Sequence, residues 1–399
     1  MAVEEGPVKR SGLVALALLC ALVLTSGCSA TGHPSGAVRA TVTGGTGTLF
    51  VGDGGAVTFA GLPARATVHE TISSRDAHGL SWQVSTKTKA DAHGKVIVDD
   101  ASYGAMTSTH AGATALYAWG TGPQAFTLEV AGKRITVQRQ LERRRVTATP
   151  VTVHGLVGTF YDAHLLGRHP AVLMFGGSEG GQPGGLVARA LAGNGFPVLT
   201  LAYFKAPGLP QTLAHIPLEY FNTALSWLTT QPDVEPRRVF LDGASRGGEL
   251  ALLLGTIYPH LIHGVFAAVP SDAVICGYPD CSQPAWTLAG RPVPFTRDFG
   301  NPYPQDDPRA LIPVQRIAGP VLLSCGGQDQ VWPSCTYTQA IVTGRHGLAT
   351  ELKACADCDH YAGDFTPGEP GNFQSGNVDA DEQAAQPYFA ARLKLLQQA

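Results

Sequence analysis

A serine with the surroundings of a nucleophile lies in the stretch VFLDGASRGGELALLLG, Val239 to Gly255. Gly243, Ser245 and Gly247 have the GxSxG spacing, in which a sharp turn between a strand and a helix lifts the serine hydroxyl above a sheet. The apolar run before this turn and the Ala/Leu run after it are typical of that strand and helix. The sequence therefore predicts Ser245 as a nucleophile, and a purely structural turn is the alternative.

A serine hydroxyl needs a histidine to take its proton and a carboxylate to orient that histidine. After an elbow of this kind the acid comes next along the chain and the histidine last. Asp329 follows the apolar run VLLSC, and His360 follows the last predicted strand, whereas His346 precedes it. Both predicted residues thus lie at the carboxyl edge of the sheet. A cap or turn role for Asp329 and a surface-loop role for His360 are the alternatives.

The glycine-rich stretch GGSEGGQPGG, residues 176–185, follows an apolar strand. Acyl transfer builds negative charge on the carbonyl oxygen, which prealigned N–H groups must stabilise. We predict one backbone donor from Gly177 or Ser178 and a second from Arg246, the residue after the nucleophile. The stretch lacks the Lys and Ser/Thr that close a phosphate-binding loop. A plain flexible turn is the alternative.

The second half of the chain, residues 148–399, alternates apolar strands with helical patterns, which predicts a mostly parallel sheet with helices on both faces. The predicted strands are residues 170–175, 197–201, 238–241, 265–269, 321–324 and 348–353. The predicted helices are residues 185–195, 218–229 and 383–398, besides the helix after the elbow. A fold of this class places the elbow at a strand end.

The first half, residues 38–147, has short alternating runs separated by turn formers, which predicts an all-β sandwich. Its predicted strands are residues 38–42, 48–51, 56–62, 67–73, 80–86, 95–98, 115–119 and 126–130. The expected fold is therefore two-domain, with the sandwich first and the α/β domain second.

The first 28 residues combine Lys9 and Arg10 with an apolar run at 13–24 and small residues before Cys28. The run is shorter than the about 20 residues of a membrane span and is typical of an export signal. We predict a lipidated Cys28, residues 29–37 as a tether, and an exported, membrane-anchored lipoprotein. An ordinary cleaved signal, giving a secreted protein, is the alternative. The net charge of -3 argues against a nucleic-acid partner.

Six further cysteines lie in the second half, and an exported protein would hold them as three disulfides. Sequence does not fix their pairing, but their close spacing favours local bridges. Zinc is the alternative, and we predict no metal because a second close-spaced ligand pair is absent from the sequence. The expected bridges are Cys276 to Cys281, Cys325 to Cys335, and Cys355 to Cys358.

Several blocks resemble the acyl-CoA thioesterase and bile acid-CoA:amino acid N-acyltransferase family. They are LSWQVSTKTKADAHGKVIVDDASYG, HPAVLMFGGSEGG, PVLTLAYF, GASRGGELALLLG and GGQDQVWPS. The resemblance implies an immunoglobulin-like sandwich followed by an α/β-hydrolase domain. It also implies Ser245, Asp329 and His360 as a triad that hydrolyses an acyl thioester without a cofactor.

Family members that transfer acyl groups to amines resemble one another in having a cysteine nucleophile, so the serine here favours hydrolysis. An exported protein would rarely meet acyl-CoA, which leaves an exported carboxylesterase or an acyltransferase on another substrate as alternatives. A non-catalytic surface binding protein is a third. Residues 271–316, rich in proline and aromatics, are expected to form part of the acyl pocket, unless they are an ordinary surface excursion.

Overall fold

The computed structural model describes residues 37–44, 47–112, 114–364, 366–371 and 376–399. Cys28, the predicted signal peptide and nearly all of the predicted tether lie outside the described residues. The described residues belong to one compact unit. Among the helices of the described ranges, none combines the length and the apolar character that a bilayer crossing requires.

The first part of this unit contains two sheets whose strands are mostly antiparallel. Its strands are β1 (Arg39–Thr43), β2 (Thr48–Phe50), β3 (Ala56–Ala60), β4 (Thr67–Arg75), β5 (Ser81–Lys89), β6 (Lys95–Val98), β7 (Gln124–Val130) and β8 (Lys133–Gln140), and helix α1 (Asp100–Gly104) follows β6. One sheet has the order β1-β3-β6 and the other β2-β8-β7-β4-β5.

The alternation of buried and more exposed residues explains why these segments form strands. In β7, Phe126, Leu128 and Val130 are buried while the residues between them are more exposed, as expected of a strand with one face on a core. The predicted strand at 115–119 is wrong. Tyr117 there donates its N–H to the Pro370 carbonyl and its hydroxyl to the Arg75 carbonyl, so the segment joins two parts of the chain instead of a sheet. Strand β8 was not predicted, because its sequence KRITVQRQ is largely polar.

The second part is an α/β unit. Its strands are β9 (Thr147–Val151), β10 (Val157–Asp162), β11 (His169–Phe175), β12 (Val198–Ala202), β13 (Ile216–Pro217), β14 (Val234–Ala244), β15 (Gly264–Ala268), β16 (Trp286–Leu288), β17 (Arg291–Pro292), β18 (Val321–Gly326) and β19 (Thr350–Cys355). Its helices are α2 (Gly185–Gly193), α3 (Leu218–Thr229), α4 (Arg246–Ile257), α5 (Ser334–Gly344) and α6 (Val378–Gln398), with short 3-10 turns at Val153–Gly155, Pro308–Ala310 and Val314–Arg316.

The main sheet has the order β19-β18-β15-β14-β11-β12-β10-β9. The six strands from β19 to β12 run parallel, and β10 and β9 add antiparallel to the edge. Strands β12, β15 and β18 are buried along their whole length, as in a sheet covered on both faces. The predicted α/β-hydrolase sheet is confirmed at this level, with the elbow at the end of a central strand.

Buried ion pairs tie the last part of the chain to the rest. Arg392 in α6 pairs with Asp242 in β14 at 2.9 Å. Arg139 pairs with Asp100 at 2.5 Å and also donates to the Gly368 carbonyl. Burial raises the pKa of Asp100 to about 6 although the guanidinium opposes that rise. An unpaired Asp100 would therefore be costly to keep ionised.

We expect Arg139→Met to lower the free energy of unfolding at pH 7 by about 3–5 kcal/mol, because it leaves Asp100 buried without its partner. Arg134→Met is the matched control, since Arg134 pairs with Glu129 at the surface and its loss should cost less than about 1 kcal/mol. Denaturant unfolding of both variants measures the difference. Equal effects would contradict the importance of the buried pair.

Candidate active site

Ser245 sits between β14 and α4 with a backbone φ of 55° and ψ of -122°. A non-glycine residue adopts such a conformation only when its surroundings impose it. The flanking glycines make it possible: a Cβ atom on Gly243 would lie 2.3 Å from the Gly247 carbonyl oxygen, and one on Gly247 would lie 2.5 Å from the Gly176 carbonyl oxygen. The structure thus forms the predicted elbow, and only glycine fits on either side.

Ser245, Asp329 and His360 come together although they are far apart in sequence. The Ser245 hydroxyl lies 2.9 Å from Nε2 of His360, and Asp329 Oδ2 lies 2.8 Å from Nδ1 of the same ring. Both are hydrogen-bond distances. The Asp329 side chain is 1 % exposed and that of His360 16 %. This geometry suits proton transfer from the serine to a histidine that the carboxylate orients.

The acid is held from its other side. Asp329 Oδ1 accepts the N–H groups of Val331 and Trp332, at 2.9 and 3.3 Å. The Trp332 indole N–H donates to the Val269 carbonyl, and its ring meets the His360 ring edge-on at 5.4 Å between centroids. Both partners of the serine therefore have a fixed orientation.

Disulfide bonds surround these loops. The structure pairs Cys276 with Cys281, Cys325 with Cys335, and Cys355 with Cys358, with Cα–Cα separations of 4.9, 4.9 and 5.3 Å. The second bridge spans the loop that carries Asp329, and the third ends two residues before His360. The Cys276 carbonyl accepts a hydrogen bond from the Arg246 guanidinium.

The glycine-rich loop lies beside the serine, where an oxyanion would form. A Cβ atom on Gly177 would lie 3.3 Å from the Cβ of Ser245. The hydroxyl of Tyr203, which is 1 % exposed, donates to the carbonyls of Gly176 and Gly177 at 2.8 and 3.2 Å. Tyr203 thus positions this loop from behind.

The three predicted backbone donors differ in their partners. The Gly177 N–H donates to Oε1 of Glu179 at 2.7 Å, so a carboxylate holds it in this structure. Arg246 is the first residue of α4, and such first-turn amides have no acceptor within their own helix. Ser178 is half-buried at the cavity wall.

A cavity of about 550 Å³ opens beside the serine and histidine. Part of its wall is apolar and comes from Leu116, Met174, Leu186, Val187 and Val331. The charged part of the wall comes from Glu179, Asp242, Asp364, Glu369 and Arg392. Sequence reasoning missed these charged residues. Glu179 alone had a visible signal, because it lies within the predicted oxyanion loop.

One of these acids has a raised pKa. Burial raises the pKa of Glu369 to about 8, with a smaller contribution from Asp364. Glu369 is thus largely protonated at neutral pH, and the cavity holds less negative charge than its composition suggests.

The segment 271–316, for which an acyl-pocket role is predicted, does not line this cavity in the described structure. One of its aromatics, Trp286, belongs to the hydrophobic core that includes residues of α4. The buried Trp286 donates its indole N–H to Glu249 at 2.9 Å, and Ser271 donates to the other oxygen of the same carboxylate. Trp286 and Ser271 therefore hold the Glu249 carboxylate of the helix that follows Ser245.

One group in the described ranges has metal-ligand spacing. It consists of Asp162, His164 and Asp233, whose ligand atoms lie within 4.8 Å of one another. His164 Nδ1 already lies 2.9 Å from the Asp162 carboxylate. None of the three lines the cavity with Ser245.

Comparison with known proteins gives related sequences. Residues 216–283 match the family model described as "BAAT / Acyl-CoA thioester hydrolase C terminal". The chain is 28% identical over 319 residues to human mitochondrial acyl-coenzyme A thioesterase 2, covering 69% of this chain and 64% of that protein. It is 28% identical over 324 residues to rat acyl-coenzyme A thioesterase 1, covering 71% and 75%. These matches support the predicted family, and the chain spans less than two thirds of the human protein.

Solved structures also match. They include MGS-M1, an α/β hydrolase from a Medee basin deep-sea metagenome library, with 16% identity, 64% and 97% coverage and a TM-score of 0.44. Esterase Est22 matches with 14% identity, 64% and 80% coverage and a TM-score of 0.39. Because both scores are below 0.5, the assignment of the fold rests on the sheet order of the chain itself.

The relatives correct the predicted localisation. Acyl-coenzyme A thioesterase 2 of human, mouse and rat is named as a mitochondrial protein, which contradicts an exported, lipid-anchored or secreted one. The prediction depended on a short apolar run before Cys28, a pattern that is not specific to export. Attachment through a lipidated Cys28 receives no support and is withdrawn.

We expect the protein with Glu369→Gln to lose less unfolding free energy than the wild type as the pH rises. A pKa raised from 4.5 to about 8 means that folding favours the protonated acid, so this contribution is full below pH 4.5 and is lost as the pH rises through 8. The variant should exceed the wild type in unfolding free energy at pH 9 more than at pH 5. Denaturant titration at both pH values measures this, with the surface substitution Glu351→Gln as control. An equal difference at both values would refute the assignment.

Proposed function

We propose that this relative of the acyl-CoA thioesterases is a serine hydrolase that cleaves acyl thioesters or esters through an acyl-enzyme. The hydrogen-bonded series from Asp329 through His360 to Ser245, at the wall of a cavity, carries the proposal. The distances support the three roles that acyl transfer requires: nucleophile, base and orienting acid.

In the first half-reaction Ser245 Oγ attacks the acyl carbonyl while His360 Nε2 takes its proton. Asp329 stabilises the imidazolium that forms. The negative charge on the carbonyl oxygen is met by the N–H of Arg246 and that of Gly177 or Ser178. Collapse of the tetrahedral intermediate breaks the bond to the leaving thiol or alcohol, which receives the proton from His360.

In the second half-reaction water takes the place of the leaving group. His360 removes a proton from the water as its oxygen attacks the acyl-enzyme carbonyl, and the second tetrahedral intermediate expels Ser245, which regains a proton. The products are the free acid and the regenerated enzyme. Every step uses side chains and backbone amides, so the proposal includes no cofactor.

The relatives support an acyl-CoA thioester as the substrate class, since they are named acyl-coenzyme A thioesterases. An exported protein would rarely meet acyl-CoA, but the mitochondrial relatives argue against export and favour an intracellular setting in which acyl-CoA is present. The apolar wall of Leu116, Met174, Leu186 and Val187 suits the acyl group. The choice of water over an amine acceptor rests on the serine nucleophile.

We also propose the finer domain layout on the same family basis. Residues 38–147 would be an immunoglobulin-like sandwich and residues 148–399 the hydrolase domain. The two sheets of the first part support this, and Leu116 in that part lines the cavity. The first domain would then contribute to the acyl site.

Ser245→Ala should lower kcat for acyl-CoA and p-nitrophenyl esters by at least about 10³-fold without changing the fold, because no other group can form the acyl-enzyme. A fluorophosphonate should label wild-type protein at Ser245, as located by peptide mass spectrometry. Ser226→Ala, on the exposed side of α3, is the matched control and should keep full activity. A Ser245→Ala protein with wild-type turnover would refute the nucleophile. Product analysis with an added amine would reveal acyl transfer.

Asp329→Asn should lower kcat by about 10³ to 10⁴-fold, because an amide no longer favours the histidine tautomer that accepts the serine proton. Asparagine keeps an oxygen for the N–H groups of Val331 and Trp332, so the thermal midpoint should change little. Turnover and thermal unfolding are measured on the same preparation. A variant with unchanged kcat, or one that loses activity only because it unfolds, would contradict this role.

A further inference from the structure

The Glu179 carboxylate accepts a hydrogen bond from the Gly177 N–H, a donor that the proposed reaction needs for the oxyanion. Its Oε1 accepts the Gly177 N–H at 2.7 Å. A Cβ atom on Gly177 would lie 2.9 Å from the other carboxylate oxygen of Glu179 and 3.3 Å from the Cβ of Ser245. The carboxylate and the nucleophile therefore flank the same glycine, where the oxyanion of a tetrahedral intermediate would form.

An oxyanion and a carboxylate oxygen compete for this donor. Both are anionic acceptors of the same N–H, and a carboxylate next to a developing negative charge would also repel it. The loop backbone itself is held by the Tyr203 hydroxyl on the carbonyls of Gly176 and Gly177. The backbone donor thus stays in place, and the side chain of Glu179 is the part that must move.

Glu179 has freedom to move and a second partner nearby. The residue is exposed at the cavity mouth, so its side chain can rotate without disturbing the core. The Lys205 ammonium donates to the main-chain carbonyl of Glu179 at 3.0 Å. Lys205 is also exposed, and its long side chain can follow the carboxylate. The Lys205 ammonium therefore lies next to Glu179, whose carboxylate must leave the Gly177 N–H.

We propose that Glu179 occupies the oxyanion position of the free enzyme, that the substrate carbonyl displaces its carboxylate from the Gly177 N–H, and that Lys205 receives the displaced carboxylate. This inference rests on the proposed function. It makes Glu179 and Lys205 positioning residues of the reaction: they set how readily the oxyanion site becomes free and form no bond to the substrate. It also disfavours substrates with a negative charge next to the reacting carbonyl.

The test compares Glu179→Ala, Lys205→Met and the double variant in two measurements. One is the second-order rate constant for fluorophosphonate labelling of Ser245, and the other is the inhibition constant of an alkyl boronic acid, whose serine adduct is tetrahedral and anionic. Glu179→Ala should speed labelling and tighten boronate binding by about tenfold, since one charge-assisted hydrogen bond no longer has to be given up. Lys205→Met should change both in the opposite direction by about threefold.

The double variant decides between displacement and a general effect of charge. If Lys205 acts through Glu179, its substitution has no effect in the Glu179→Ala background, and the double variant matches Glu179→Ala. Glu179→Gln, which keeps the shape but lacks the charge, should lie between wild type and Glu179→Ala. Lys353→Met, at a half-buried lysine paired with Glu351 and outside the cavity lining, is the control for loss of a cation and should leave both values unchanged.

Each result has a clear meaning. Slower or unchanged labelling in Glu179→Ala, or Lys205 and Glu179 effects that simply add, would overturn the displacement while leaving the hydrolase intact. Wild-type protein that is not labelled at Ser245 would overturn the proposed function and this inference together. Folding of every variant is checked by its thermal midpoint, and Glu179→Gln keeps the test valid if Glu179→Ala unfolds.

Discussion

The strained backbone at Ser245 is the constraint on which the site depends. The turn that gives Ser245 its φ of 55° leaves no room for a Cβ atom on Gly243 or Gly247, and the space beside Gly247 is filled by the Gly176 carbonyl just after β11. The elbow and the glycine-rich loop are therefore fitted to each other. Tyr203 holds the same loop by the carbonyls of Gly176 and Gly177, so it also fixes the loop that carries the proposed oxyanion donor beside the proposed nucleophile.

The parallel sheet accounts for the remaining geometry. Asp329 and His360 follow β18 and β19, adjacent strands that run in the same direction, so their loops emerge at one edge. The elbow follows β14 at that edge, with β15 between it and β18. This is why residues 115 positions apart in sequence can meet at 2.9 Å. It is also why the order of the strands, more than any local motif, decides which histidine reaches the serine.

The strand pattern also determines which residues of the site could be predicted from the sequence. Buried strands of a parallel sheet are visible as apolar runs, so Ser245 and Asp329 could be chosen by their places after such runs, and His360 by its place after the last predicted strand. The direction of a side chain in a loop is not visible in this way, and Glu179 was passed over although it stands inside the loop assigned to the oxyanion. Arg392 and Asp364 carried no signal, because α6 and the segment before it meet the site only through tertiary packing. For residues 271–316 the sequence left two roles open, since aromatic composition does not distinguish a pocket wall from a residue that packs in the core, as Trp286 does.

The disulfides restrict individual loops more than they stabilise the whole fold. Their sequence separations are 5, 10 and 3 residues, and closing such short loops removes little entropy from the unfolded chain, less than about 3 kcal/mol each. Two of them lie next to the acid and the base, and the third adjoins the carbonyl that receives the Arg246 side chain. Arg246 in turn begins the helix behind the nucleophile. The bridges thus restrict the loops whose relative positions determine the two hydrogen bonds of His360, whereas the loop that carries Glu179 has no such bridge and is held by the Tyr203 hydroxyl.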